Sequence, residues 1–155
     1  MKTRIFLAAD HAGFEMKEFV KKNIDKKIYG VEDCGAHKYD EKDDYPEFML
    51  KAAKKVSSTR ESKGIIFGGS GQGEAIVANK VKGIRAVVYN CSNKEIVKLS
   101  RTHNDANILS MGARFMTNEH ALEAVKSWLS TNFSNEARHK RRIKKIEEIE
   151  KKICK

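Results

Sequence analysis

The sequence lacks the features that mark secreted, membrane and disulfide-rich proteins. It has three cysteines, Cys34, Cys91 and Cys154, which are widely spaced and form no Cys-x-x-Cys pair. This favours reduced thiols over a disulfide framework or a zinc site. No apolar run approaches the ~18 residues of a membrane span, and Met1–Arg4 leads into an apolar run rather than a signal peptide. We therefore expect a cytoplasmic protein with one domain over residues 1–155.

Motifs for metals and nucleotides are missing as well. There is no His-Glu-x-x-His pair, and Asp40, Asp43 and Asp44 lack the pattern of a calcium loop. The Gly-Lys-Ser/Thr ending of a Walker A loop is absent, and Glu74 stands where the dinucleotide pattern needs its third glycine. We therefore expect no metal and no nucleotide cofactor.

Positive charge is concentrated at the end of the chain. The formal net charge is +10 at pH 7, and residues 138–155 hold nine Lys or Arg against three Glu, so they carry six of the ten net charges. Such a segment binds nucleic acid, binds small phosphates or stays solvated. It contains no Phe, Tyr or Trp to stack on bases, so nucleic-acid binding is an alternative rather than the leading function.

The same segment has a helical pattern. Its isoleucines fall on one helical face: Ile143, Ile146, Ile149 and Ile153. We therefore predict an amphipathic helix over about 135–153 rather than a disordered tail. Its narrow apolar face suits packing on its own domain or on a second subunit.

Five apolar runs alternate with helical patterns along the chain. We predict strands at 4–9, 28–34, 64–68, 84–89 and 107–111. Helices are expected at about 13–27, from Tyr45, after the glycine-rich loop, at about 92–101 and around 121–129. This alternation predicts an α/β fold, with a doubly wound, mainly parallel five-stranded sheet covered by helices on both faces.

The loop after the third predicted strand carries the strongest functional signal. Four of the six positions from Gly68 to Gly73 are glycine, and a helix then begins with Glu74 near its start. Backbone N–H groups in such a turn bind anions. The Ser70 hydroxyl and the Glu74 carboxylate add groups suited to proton abstraction beside a carbonyl. The alternative is a turn that only packs a helix tightly onto the sheet.

Polar residues also follow the first and fifth predicted strands. Asp10 and His11 end the first, and Arg114 follows the fifth. Ligands of doubly wound sheets bind at the carboxyl ends of the strands, so we expect these groups to meet the glycine-rich loop. His103, before the fifth strand, adds a histidine at or near the sheet edge.

Each of these groups also has a purely structural interpretation. Asp10 suits a helix cap, and Arg114 suits a pair with a surface carboxylate. The three histidines in polar contexts, His11, His103 and His139, are each more often surface or hydrogen-bonded residues than catalysts. Their combination is what points to chemistry.

Together these groups suit the isomerisation of a sugar phosphate. A histidine with an aspartate provides acid and base for ring opening. A carboxylate partly withdrawn from water has its pKa raised toward the working pH, as a base beside the carbonyl requires. Backbone amides and a hydroxyl stabilise the enediolate, and guanidinium groups bind the phosphate. No metal or redox cofactor is needed.

The residues resemble the ribose-5-phosphate isomerase B family in order along essentially the whole chain. The matching motifs are Asp10–Phe14, Asp33–Pro46, Gly68–Lys80, Thr102–Asn107, Gly112–Arg114 and Arg138–Arg142. The resemblance implies a Rossmann-like fold and a metal-independent interconversion of ribose 5-phosphate and ribulose 5-phosphate. It also implies a homodimer, or a higher oligomer built from it, with an active site shared between subunits.

The resemblance also implies catalytic roles. His103 would open the furanose ring, assisted by Asp10, and Glu74 would move the proton between C1 and C2. Ser70 would help to hold the enediolate oxygens.

Binding roles follow from the same resemblance. Backbone amides would join Ser70 at the enediolate, namely those of Gly69, Ser70, Gly71, Gln72 and Gly73. Asn104 would hydrogen-bond the sugar. His11 and Arg114 would bind the phosphate, joined by Arg138 and Arg142 of the partner subunit.

One departure separates this chain from another branch of the family. Members of that branch use a cysteine base at the position of Gly68, whereas Glu74 matches the branch with a glutamate base. Some cysteine-type members act on allose 6-phosphate. An isomerase of six-carbon phosphates, such as a subunit of galactose-6-phosphate isomerase, and a non-catalytic sugar-phosphate sensor therefore stay as alternatives.

Overall fold

The computed structural model describes residues 2–153, so Cys154 lies outside the described residues. The strands are β1 Thr3–Ala9, β2 Tyr29–Asp33, β3 Lys63–Gly68, β4 Ala86–Tyr89 and β5 Ile108–Gly112. The α-helices are α1 Phe14–Asn23, α2 Tyr45–Ser58, α3 Gln72–Ala78, α4 Glu95–Asn104, α5 Asn118–Ser130 and α6 Ala137–Ile153. A short 3₁₀ turn, Ala113–Phe115, follows β5.

The strands form one five-stranded sheet in the order β2-β1-β3-β5-β4, and every described pairing is parallel. The chain winds outward from β1 to β2 and then returns across β1 to β3. The carboxyl ends of β1 and β3 therefore lie at a switch point, where connections leave in opposite directions and a crevice opens. Asp10 and the glycine-rich loop begin at these two ends. The α/β, mainly parallel fold predicted from the sequence is confirmed.

Both faces of the sheet are buried because successive side chains of a strand point to opposite sides. Ile5 and Leu7 of β1 contact the cluster under α1, α4 and α5, which includes the fully buried Trp128. Phe6 and Ala8 of the same strand lie in the second cluster, under α2 and α3. Each fully buried large apolar side chain contributes about 1.5–3 kcal/mol. This two-sided core fixes the register of the strands and hence the edge where polar residues collect.

The bounds of some elements differ from the predictions. Helix α4 continues past the predicted end at Arg101 to Asn104, because Arg101 bonds to the Asp105 carboxylate and the Ala106 carbonyl beyond it. His103 thus lies in the last helical turn. The helix begins at Glu95 rather than at about residue 92, and the Asn93 Oδ1 accepts a hydrogen bond from the Glu95 backbone N–H at 3.0 Å.

The C-terminal helix α6 covers only part of its apolar face with its own chain. Ile143 is buried, whereas Ile146, Ile149 and Ile153 are 48%, 56% and 74% exposed. The amphipathic helix is thus present with most of its stripe uncovered in one chain. Within residues 2–153, no helix is both long and apolar enough to cross a membrane.

Candidate active site

Candidate functional side chains form two clusters at opposite edges of the sheet. The carboxyl-edge cluster consists of Asp10, His11, Asp43, Glu74 and Arg114 together with the loop Gly68–Gly73. The amino-edge cluster consists of His103, Asn104, Ser134 and His139.

Topology explains the separation of the clusters. Helix α4 runs back from the carboxyl end of β4 to the amino end of β5, so Asn104 lies near Arg85, whose Nε donates to its carbonyl at 3.0 Å. The five residues of β5 separate the two edges by roughly 16 Å. One chain therefore does not bring His103 and Asn104 to Asp10, His11 or Glu74.

Glu74 lies in the first turn of α3 and is only 4% exposed. Burial raises the pKa of its carboxyl group. Backbone hydrogen bonds from the helix start oppose this rise in pKa, and the Asp10 carboxylate adds to it. A carboxyl group with these surroundings takes up a proton more readily than an ordinary glutamate, as a general base near neutral pH must.

The Glu74 carboxyl group lies directly over Gly68, so a side chain at position 68 would have to displace it. A Cβ at position 68 would overlap Oε1, Oε2 and Cδ of Glu74. The Glu74 carboxylate therefore occupies the space that a cysteine side chain at position 68 would fill. This contact joins the end of β3 to the first turn of α3 and places the carboxylate beside the loop amides.

The glycine-rich loop is held from β5. Gly71 has φ +80°, which favours glycine, and its carbonyl accepts a hydrogen bond from the Ser110 hydroxyl at 2.6 Å. The Gly69 carbonyl accepts one from the Arg114 backbone N–H at 3.0 Å. The Arg114 guanidinium also lies against Gly69, where a Cβ would be 3.2 Å from Nη1. The structure thus brings Arg114, Ser70 and the loop amides together as predicted.

Asp10 combines its structural and its proposed chemical position. It is 6% exposed, and its Oδ1 accepts a hydrogen bond from the Gly13 N–H at 3.0 Å, just before α1. Burial raises the pKa of its carboxyl group, while the Gly13 hydrogen bond and the charge of His11 oppose the rise. Asp10 therefore holds the turn that precedes α1 and still lies close enough to Glu74 to raise the pKa of that carboxyl group.

Sequence reasoning missed Asp43. Its Oδ1 lies 2.8 Å from Nδ1 of His11 and accepts the His11 backbone N–H at 3.0 Å. The signal available in the sequence was the pair Asp43-Asp44 before Tyr45-Pro46. Asp44 alone can precede the start of α2, so the second aspartate, Asp43, is free for another role. The contact joins residues 32 positions apart, which no local pattern reveals.

At the amino edge, two histidine rings lie against each other with an angle of 35° between their planes. The ring centroids of His103 and His139 are 4.3 Å apart, and the Ser134 Oγ lies 2.7 Å from Nδ1 of His139. His139 is 2% exposed. Burial lowers the pKa of His139, and a charge on His103 lowers it further. His139 is therefore held neutral behind the exposed His103.

The remaining predicted binding residues point away from the carboxyl-edge cluster of their own chain. Four side chains are exposed on α4 and α6: His103, Asn104, Arg138 and Arg142. Arg138 bonds to Glu136 at 2.8 Å, which is a surface pair. Either they are unrelated to Glu74 or a second chain brings them to it.

Two further observations bear on cofactors and cysteines. Among residues 2–153, no three or more His, Cys, Asp or Glu side chains form a group that fits a metal ion. Burial raises the pKa of the Cys34 thiol to about 11, so this thiol is uncharged at neutral pH. Cys91 is exposed, and neither cysteine belongs to the two clusters.

Comparison with known proteins gives a consistent result. Residues 5–146 match the family described as Ribose/Galactose Isomerase. A ribose-5-phosphate isomerase B from Mycolicibacterium paratuberculosis is 40% identical over 148 residues, which cover 96% of this chain and 92% of that protein.

Solved structures agree with these sequence matches. Ribose-5-phosphate isomerase B of Clostridium thermocellum superposes with a TM-score of 0.89 at 43% identity, covering 97% of this chain and 99% of the other. The Mycoplasma genitalium enzyme, with bound ribulose-5-phosphate, gives a TM-score of 0.90 at 36% identity, covering 97% and 98%.

Proposed function

Because the chain belongs to the ribose/galactose isomerase family, we propose that it interconverts ribose 5-phosphate and ribulose 5-phosphate. The observation that carries the proposal is the buried Glu74 carboxyl group lying over Gly68 beside the loop amides. A relative of the same fold holds ribulose-5-phosphate, the ketose of this reaction. The chain acts on the sugar phosphate as an isomerase.

Glu74 is the base that removes a proton from one carbon beside the carbonyl and returns it to the other. Its raised pKa suits this role because the same group must accept and then donate the proton. The carboxylate starts deprotonated, takes the proton from C2 of the open-chain aldose and delivers it to C1 of the enediolate, while the hydroxyl proton passes from O2 to O1. No electrons leave the sugar, so no redox partner takes part.

The loop beside Glu74 stabilises the enediolate. The Ser70 hydroxyl and the amides of the loop act on the oxygens where charge develops: Gly69, Ser70, Gly71, Gln72 and Gly73. Fixed donors of this kind need no reorganisation during the reaction, and loss of one such donor costs about 10²–10³ in rate. The anchoring of Gly69 and Gly71 to the β5 edge supports this role.

The complete site is formed by two subunits of a homodimer. The partner subunit's His103 opens the furanose ring together with Asp10, and the partner's Asn104 hydrogen-bonds the sugar. The phosphate is bound by His11 and Arg114, joined by the partner's Arg138 and the partner's Arg142.

Two observations support this arrangement. The amino-edge cluster is too far from Glu74 within one chain, because the length of β5 separates them. Ile146, Ile149 and Ile153 leave an apolar stripe on α6 that a second copy would cover.

The free thiols of Cys34 and Cys91 support a cytoplasmic location, where thiols stay reduced.

The test is incubation of the protein with ribose 5-phosphate and a chelator in deuterated water. We expect ribulose 5-phosphate that carries deuterium, because the enediolate exchanges its proton with solvent through Glu74. The same incubation with allose 6-phosphate and galactose 6-phosphate tests the alternative that the protein isomerises six-carbon sugar phosphates. Binding of ribose 5-phosphate without turnover would instead identify a sensor.

A further inference from the structure

Asp43 is buried beside the proposed site, and its contacts are unusual for a loop carboxylate. Its side chain is 8% exposed. One oxygen, Oδ1, accepts from both the backbone N–H and the ring Nδ1 of His11, at 3.0 and 2.8 Å. The other oxygen, Oδ2, has no hydrogen-bond partner among the described residues. The carboxylate is therefore directed at His11 alone.

This two-point contact fixes the imidazole ring. Since Nδ1 bonds to Asp43, Nε2 is the ring nitrogen left for a ligand. The ring is 29% exposed by its side chain, so a ligand reaches it from solvent. Holding Nδ1 to a carboxylate sets both the ring orientation and the position of its proton.

The charges around His11 come from three elements. Asp10 at the end of β1 and Asp43 before α2 are negative, Arg114 after β5 is positive, and the Tyr39 ring meets His11 edge-on with centroids 6.5 Å apart. The Asp43 hydrogen bond is the main reason that the pKa of His11 is raised; partial burial and Arg114 oppose it, and Asp10 adds to it. The net effect is a raised pKa, so His11 takes up a proton more readily than an ordinary histidine.

We propose that Asp43 is a positioning residue for phosphate recognition, which binds Nδ1 of His11 and so orients the ring with Nε2 facing the phosphate of the substrate. The proposal rests on the proposed function, in which His11 binds that phosphate. Asp43 acts through His11 and does not touch the substrate. A carboxylate in direct contact with a phosphate dianion would repel it, whereas behind the imidazolium its charge favours the bound state.

The first test is binding of sulfate, a dianion whose charge is constant over the tested range, measured by calorimetry between about pH 6 and pH 9. We expect Asp43→Asn to weaken sulfate binding about tenfold at the alkaline end. The loss shrinks toward the acidic end, where His11 is protonated in both proteins. The matched control is Glu41→Gln, which removes one negative charge from an exposed position in the same loop and should bind like the parent.

A double variant separates action through His11 from a general effect on the loop. We expect Asp43→Asn combined with His11→Gln to bind sulfate no more weakly than His11→Gln alone. Losses that simply add would overturn the proposal, as would a parent-like pH dependence of Asp43→Asn.

A second measurement uses the unmodified protein and so does not depend on whether a variant folds. In an NMR titration of its histidine rings, His11 should titrate above the usual histidine range, and an ordinary or lower pKa would sink the idea. With ribose 5-phosphate, Asp43→Asn should raise KM more than it lowers kcat. Failure of the parent to isomerise the sugar would refute the proposed function. The role of Asp43 would then be decided by the sulfate and NMR measurements alone.

Discussion

The two clusters use histidine in opposite ways. At the carboxyl edge, His11 pairs with the Asp43 carboxylate, and its pKa is raised. At the amino edge, His139 is 2% exposed against His103 and the Ser134 hydroxyl, and its pKa is lowered. The pKa of the same side chain is thus shifted in opposite directions, because a carboxylate at Nδ1 favours the charged form of His11 whereas burial favours the neutral form of His139.

The clusters also differ in how complete they are within one chain. At the carboxyl edge, β1, β3, β5 and the loop before α2 converge, so buried carboxylates and the glycine-rich loop are already in place. At the amino edge, the candidate ligand-binding groups His103 and Asn104 are exposed. Folding of one chain thus preorganises the first cluster and leaves the candidate groups of the second exposed. Four predictions test the comparison.

Replacement of Glu74 should have the largest effect, because it removes the only proposed base of the carboxyl-edge cluster. We expect Glu74→Gln to lower kcat with ribose 5-phosphate by about 10²–10⁴-fold, with KM and the melting temperature changed little. Glu47→Gln, an exposed glutamate in the first turn of α2, is the matched control. Turnover near that of the parent would assign the base elsewhere.

Gly68→Ala should come next, since the added Cβ must displace the Glu74 carboxyl group. A misplacement of about 1 Å costs roughly 10²-fold in rate, so we expect kcat to fall by that order. Gly30→Ala on β2 is the control, because its Cβ would meet nothing closer than 3.9 Å. Unchanged kinetics in Gly68→Ala would show that the position of the carboxylate does not matter.

Mixing two inactive variants tests whether the clusters belong to one site. Glu74→Gln carries an intact amino-edge cluster, and His103→Asn an intact carboxyl-edge cluster. When subunits are exchanged at equal amounts, half of the dimers are mixed and each has one intact site, so about a quarter of the parent activity should return. Each variant incubated alone is the control. If no activity returns after subunit exchange has been verified, the two clusters do not belong to one site.

The smallest expected effect concerns stability, and its sign differs between the clusters. His11 has a raised pKa in the folded state, so its contribution is present below about pH 6.5 and lost as pH rises through its folded pKa. His139 has a lowered pKa, so its contribution is present above about pH 6.5 and lost as pH falls toward its folded pKa.

Melting temperatures measured across this range check the two signs. The difference between the parent and His11→Gln should shrink toward alkaline pH, whereas the difference between the parent and His139→Gln should shrink toward acidic pH. His37→Gln, an exposed histidine, is the reference. Parallel curves for the two variants would remove the contrast between the clusters.

Much of the carboxyl edge could be predicted from the sequence, because the carboxyl ends of parallel strands collect the residues that directly follow them. Asp10, Glu74 and Arg114 each stand within a few positions of a strand end, and periodicity was enough to locate those ends. The position of His103 could not be found in this way. The end of α4 depends on the contacts of Arg101 with Asp105 and Ala106, which only the folded chain makes.

Long-range pairs form the other part that the sequence did not reveal. Asp43 lies in a polar loop whose composition suits many roles, and its contact with His11 exists only because β1 and the loop before α2 meet at the sheet edge. The close approach of the Glu74 carboxyl group to Gly68 is likewise a property of three-dimensional packing. Most residues of the carboxyl-edge cluster could therefore be predicted from the sequence, whereas the contacts between pairs of them could not.

The close approach at Gly68 also constrains how this protein and relatives with a cysteine base can interconvert over evolutionary time. A cysteine introduced at position 68 collides with Glu74, and removal of Glu74 first leaves no base. With Glu74 as the proposed base, we expect each single substitution to lower activity, whereas the two together would replace one base by the other. A change from one base to the other therefore needs both substitutions, so a lineage that has adopted either base is expected to keep it.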